Sequence, residues 1–184
     1  MTRVIELASD PARPEKSTRR KVNPNKVDWL KGMEREPRIS AGGIVIEDHR
    51  ILLVRYCDRP DGNSYLVAPG GAALIDERLD TAAVREVEEE TGLIVAPRRI
   101  LFVEDLLSKR HRITKVWFLC DAIGGQLQPT PGALEEGITE VGWFRRQQLV
   151  REVVYPRVLL DYNWGSFSAP AWEARYIEMS QADF

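Results

Sequence analysis

The 184-residue chain predicts an α/β fold, an α/β/α sandwich on a mixed β-sheet. Three observations point there. Short β-branched runs occur in pairs divided by turn residues, as in hairpins. One helical stretch rich in alanine and glutamate sits mid-chain. Two more helical stretches stand near the end. Helices placed between and after strands cover both faces of a sheet. Hairpins alternating with longer crossovers make that sheet mixed.

The elements follow in order. Residues 1–38 are set apart as an N-terminal arm: ten Lys or Arg against six Asp or Glu leave it at +4, and Pro11, Pro14, Pro24 and Pro37 break it up. The arm reads either as a partly disordered tail or as a dimer-forming segment that packs through Trp29. Residues 39–184 form the folded domain. "SAGGIVIE" and "RILLVRY" read as a hairpin turned by "EDHR", with His49 exposed in the turn. "DRPDGNS" is a loop. "YLVAP" is a third strand, stopped by Pro69, Gly70 and Gly71. A helix follows, capped by Asp76 or Asp80 and ended by Gly92. "RRILFVEDLL" and "ITKVWFLCDAI" are strands, and a long loop leads to the strand "EVGWF". "RRQQLVREVV" and "YPRVLLDYN" read as helices, and the last stretch from Trp164 as irregular.

Composition narrows the function. Net charge is −2, with 43% hydrophobic and 29% charged residues, so charge does not announce a stable nucleic-acid partner. No apolar run suits a membrane span, and no secretory leader is visible. The cytoplasm is the expected location. Cys57 and Cys120 lack metal-ligand spacing and are expected to be partly buried hydrophobes.

The chemistry concentrates in "GGAALIDERLDTAAVREVEEETGL". Glu86, Glu89 and Glu90 stand at i, i+3 and i+4, so they share a helix face with Cβ atoms roughly 5–6 Å apart. Glu88 points elsewhere. Three carboxylates on one patch repel each other unless a cation joins them. Mg²⁺ or Mn²⁺ suits oxygen donors of this kind. Pro69-Gly70-Gly71 lets the backbone approach a ligand closely and offers a carbonyl oxygen. Arg85 is a partner for Glu77 or for one of the glutamates.

Gly71, Glu77 and the run Arg85-Glu86-Val87-Glu88-Glu89-Glu90-Thr91-Gly92-Leu93 resemble the Nudix hydrolase signature, G-x5-E-x7-R-E-U-x-E-E-x-G-U with U aliphatic, at every fixed position. The strand order over about residues 40–150 is also similar. The resemblance implies a Nudix-like sandwich that hydrolyses a diphosphate linkage in a nucleoside diphosphate derivative or a nucleoside triphosphate, by attack of water on phosphorus. It implies Mg²⁺, with Mn²⁺ as substitute, held by Glu86, Glu89, Glu90 and the Gly70 carbonyl. Arg85 orients a glutamate and Glu77 supports the helix. The partner is a nucleotide-type small molecule, and a homodimer is common in the family. The base is a signature glutamate or a loop glutamate, here Glu136 or Glu135. Glu104 and Asp105 are weaker candidates. The alternative function is nucleotide sensing or binding on the same fold. An isomerase using Cys57 is a remote third.

The substrate stays open. The proline that accompanies ADP-ribose activity is replaced by Ser108, and the marks of the dinucleoside-polyphosphate and coenzyme A types are missing. Arg55 and the basic group Lys109, Arg110, His111 and Arg112 are read either as substrate contacts or as solvated charges. Trp117, Phe118 and Trp143 are read as core.

Overall fold

The computed structural model describes residues 35–57 and 64–181. They belong to one compact unit that begins at Arg35. Residues 1–34 of the expected arm, with Trp29, lie outside the described residues. Residues 36–38 already belong to the first strand.

That strand, β1 (Glu36–Glu47), is the centre of the sheet. It pairs in parallel with β6 (His111–Gly125), and antiparallel with β2 (Arg50–Cys57) and with the short β4 (Gly70–Ala72). β2 in turn pairs with β3 (Ser64–Val67) and with β7 (Ile138–Arg145). β5 (Leu93–Leu107) forms a long hairpin with β6. The sheet is mixed, as the sequence predicts. Asp48 and His49 turn the β1–β2 hairpin with φ of 47° and 60°. This is the two-residue turn whose twist matches the flanking strands.

Side-chain alternation along the strands splits the interior in two. Val45, Leu52, Val116, Phe118 and Cys120 point to one face. Their sequence neighbours Ile44, Ile51, Leu53, Trp117 and Leu119 point to the other. Helix α1 (Leu79–Thr91) covers the first face through Ala82, Ala83 and Val87. It ends at Gly92, whose φ of 72° places it in the left-handed region and lets its N–H bond the Glu88 carbonyl. At the other end the expected carboxylate cap is not formed. Arg78 holds the cap position, and Asp80, inside the first turn, pairs with the Arg78 guanidinium.

The second face is covered differently from expectation. The stretch from Arg145 to Asn163 forms 3₁₀ turns at Arg146–Leu149 and Arg157–Leu160, with the short strand β8 (Val154–Tyr155) between them. Pro156 cannot sit inside an α-helix, and β8 gives its backbone to β3. The residues after Trp164, expected to be irregular, form a further 3₁₀ turn at Trp164–Ser168 and strand β9 (Arg175–Gln181), which extends the sheet beside β5. The loop before β7 carries a five-residue helix, α2 (Pro131–Glu135), that was not foreseen. Cys120 is buried, but Cys57 is exposed, contrary to expectation. Among the described residues no helix is long and apolar enough to cross a membrane.

Candidate functional site

The site forms where α1 passes the β4 turn. Arg85 organises it. Its Nε and Nη2 grip both oxygens of Glu77 at 2.9 Å, its Nη1 donates to Glu86 Oε1 and Glu89 Oε2 at 2.8 Å, and Nη2 also donates to the Ala72 carbonyl at 3.0 Å. One planar cation therefore ties the loop after β4 to the helix. It holds the Glu77 carboxyl down to about 2, helped by the Leu74 N–H.

The three helix glutamates are not equivalent. Glu86 and Glu90 are buried, while the Glu89 side chain is 60% exposed. Glycine at position 71 leaves room for Glu86: a Cβ there would stand 2.4 Å from Glu86 Oε2, and the carboxylate would have to shift. Glu90 receives the Tyr56 hydroxyl at 3.0 Å on Oε1 and the Gly70 N–H at 3.1 Å on Oε2. Burial pushes the Glu90 carboxyl up to about 7 and also raises that of Glu86. Burial, together with the Glu90 carboxylate, raises the Tyr56 phenol. Among the described residues no three His, Cys, Asp or Glu side chains are already drawn into one cluster that could hold a metal.

A cavity of about 740 Å³ opens over the helix. Glu86, Glu89 and Glu90 line one side, and Thr130, Ala133 and Glu136 line another. Thr130 brings the two sides together. Its hydroxyl donates to the Glu89 carbonyl and caps α2 by accepting the Ala133 N–H at 3.1 Å. Both glutamates at the C-terminal end of α2 are exposed, but only Glu136 is part of the lining of the acidic cavity; the neighbouring Glu135 is not.

Other candidates are engaged elsewhere. Arg55 is bound by Glu152 through both terminal nitrogens and by Glu140 through Nε at 2.7 Å. Asp105 accepts from Thr114, Tyr176 and Arg112. Glu104 is buried and takes the Trp117 indole N–H at 2.9 Å. His111 is 4.0 Å from Glu36. Trp117 and Phe118 are core residues, as the sequence reading has them, and Trp143 is half-buried.

Sequence reasoning missed Lys115. It is 8% exposed, and its Nζ donates to the Gly70 carbonyl at 2.6 Å. Burial lowers its pKa, against the opposing pull of Glu90, Glu86 and Glu104. The signal was available: Lys115 stands directly before the apolar run 116–120 of β6, and a buried charge needs partners. Tyr56 was missed as well, because nothing in its own strand foretells a contact with the far end of α1.

A family model described as NUDIX domain matches residues 36–161. An ADP-ribose pyrophosphatase of Methanocaldococcus jannaschii is 33% identical over 101 residues, or 54% of this chain and 59% of that protein. The chain therefore spans less than two thirds of that relative. A MutT-like protein of Streptomyces ambofaciens is 30% identical over 126 residues, covering 67% of this chain and 75% of that protein. The crystal structure of an ADP-ribose pyrophosphatase from Streptococcus suis superposes with a TM-score of 0.59 at 25% identity, covering 77% of this chain and 99% of that one. A NUDIX hydrolase from Nitrosomonas europaea shares the fold, with a TM-score of 0.60 at 22% identity, covering 79% of this chain and 81% of that one.

Proposed function

The chain belongs to the NUDIX domain family, and from there we propose that it is a divalent-metal-dependent pyrophosphohydrolase acting on a nucleoside diphosphate linked to a further group. The observation that carries this reading is the pair of buried carboxylates, Glu86 and Glu90, held against the Gly70-Gly71 turn in the wall of an acidic cavity.

The residues fit a hard cation. The donors are all oxygens, the missing side chain at Gly71 makes room for Glu86, and the Gly70 carbonyl already accepts from the ammonium of Lys115. Glu86, Glu90, Glu89 and the Gly70 carbonyl would hold Mg²⁺ or Mn²⁺. Such an ion neutralises the diphosphate and lowers the pKa of a bound water. The chain's own residues do the rest. Arg85 fixes the carboxylates of Glu86 and Glu89, and through Glu77 it fixes the loop after β4. Glu136 faces the same cavity as the glutamates and takes the proton of the attacking water. The water oxygen bonds to phosphorus, the bridging P–O bond breaks, and the leaving phosphate keeps its electron pair.

The substrate class rests on the family and on relatives named ADP-ribose pyrophosphatase. Ser108 still stands where the sequence reading looked for a proline, so ADP-ribose is the first compound to test rather than the assigned one. The experiment is a hydrolysis panel with Mg²⁺ or Mn²⁺: ADP-ribose, nucleotide sugars, nucleoside triphosphates, dinucleoside polyphosphates and coenzyme A, with Glu90→Gln as control. Cleavage of one class by the wild type and not by the variant supports the proposal. Nucleotide binding with no cleavage anywhere on the panel would instead favour a sensing role.

A further inference from the structure

We propose that Lys115 is a resident cation of the carboxylate site, and that a divalent metal binds by displacing its ammonium from the Gly70 carbonyl. The inference rests on the metal site of the proposed function and concerns what occupies that site before the metal does.

The geometry makes the two cations competitors. Lys115 Nζ lies 2.6 Å from the Gly70 oxygen, the same backbone atom assigned to the metal. Mg²⁺ binds oxygen at about 2.1 Å. Two cations bound to one oxygen at those distances stand within about 5 Å of each other whatever the angle between them. Both would be shielded from water, where repulsion between like charges is strongest. They cannot share the atom comfortably.

The ammonium also has somewhere to go. It lies over the Trp117 ring, 4.3 Å from its centroid, and Trp117 donates its indole N–H to the buried Glu104. Glu104 is one of the three carboxylates that the Lys115 charge faces, and it belongs to β5, away from the helix pair. A cavity of about 260 Å³ lined by Tyr56, Tyr65, Gly70, Glu104, Lys115 and Trp117 adjoins it. A long, flexible side chain in this position can leave Gly70 and settle toward Glu104 while remaining beside a negative partner. Without metal, the ammonium offsets the repulsion between Glu86 and Glu90. With metal, it is released to the side of the site that faces this second cavity.

The test uses the full chain and reads metal binding directly. Mn²⁺ binding is measured by electron paramagnetic resonance for the wild type, Lys115→Met and Lys115→Gln. The glutamine keeps a donor for Gly70 but removes the charge. Both variants should bind Mn²⁺ about tenfold more tightly than the wild type. Equal or weaker binding in both overturns the inference. If the wild type itself binds no Mn²⁺, the metal site of the proposed function has failed, which is a separate result. Should the variants not fold, the wild type decides alone. The Lys115 side-chain methylene protons next to the ammonium are shifted by the Trp117 ring current, so they identify themselves in an NMR spectrum. Saturating Mg²⁺ should move them; an unchanged signal overturns the inference.

Discussion

The two faces of the sheet solve the same packing problem with different materials. Under α1 the contacts are small and close: Ala41, Ala82, Ala83 and Val87 seat the helix low on the strands. The other face is filled by rings. Phe102, Phe167 and Trp172 meet edge to face with centroids 4.8–5.8 Å apart, and Tyr162 joins them. The difference teaches why each face is built as it is. Bulky aromatic side chains fill irregular spaces, so short 3₁₀ turns suffice to present them. A helix set low on small residues instead carries its edge down to the strand ends, and here that edge bears Glu86 and Glu90. One face buries rings for stability. The other carries the buried helix glutamates Glu86 and Glu90.

Changes that confuse those roles would break the comparison. Phe167→Ala should have the largest effect on folding, a loss of about 3–5 kcal/mol by denaturant titration, because Phe167 is fully buried among rings. The Mn²⁺ affinity of the surviving folded chain should stay the same. Glu90→Gln should do the opposite: turnover falls by about 10²–10³-fold, roughly 3–4 kcal/mol of transition-state stabilisation, with folding intact. A wild-type rate in that variant would remove Glu90 from the site.

Gly71→Ala sharpens the comparison further. The added methyl takes the place of the Glu86 carboxylate, since its Cβ would fall 2.4 Å from Oε2. Metal affinity should drop about 10- to 100-fold, and thermal stability should change little. The smallest expected effect is a pH slope. Burial raises the folded-state value of Glu90 from 4.5 to about 7. Between those values the folded, metal-free chain keeps a proton that the unfolded chain has lost, so stability falls as pH rises through the window. The contribution is roughly 1–3 kcal/mol. Denaturant midpoints measured in chelator from pH 4.5 to 8 should show the decline, and Glu90→Gln should flatten it.

The sequence was most legible where local rules act alone. The hairpin turn at Asp48-His49, the helix stop at Gly92 and the shared face of Glu86 and Glu90 follow from turn chemistry and helical period. The C-terminal third was misread: the stretches taken for two helices are 3₁₀ turns and a short strand, from which Leu149, Val154, Val158 and Leu159 reach the core. Only the pairing of β8 with β3 and the ring at Pro156 decide between these outcomes, and the first is a long-range contact. Along the helix, Glu86 and Glu90 share a buried face as the period predicts; across it, the reading was incomplete. Glu89 shares the face by period, but Arg85 turns it outward. Tyr56 and Lys115 arrive from strands far away in the chain, which no window of sequence joins to α1.

The grip of Arg85 gives the signature's spacing a mechanical meaning. Its guanidinium is bolted to Ala72 at the end of β4, to Glu77 on the loop and to Glu86 and Glu89 on the helix. The intervals from Gly71 to Glu77 and from Glu77 to Arg85 are therefore tether lengths, each cut to let one fixed point reach the next. Between Gly71 and Glu77 part of the chain is slack that many sequences can fill: Ile75 is fully exposed and Leu74 mostly so. Adding one residue between Gly71 and Glu77 would leave every side chain of the site in place by name while lengthening the tether that aligns them.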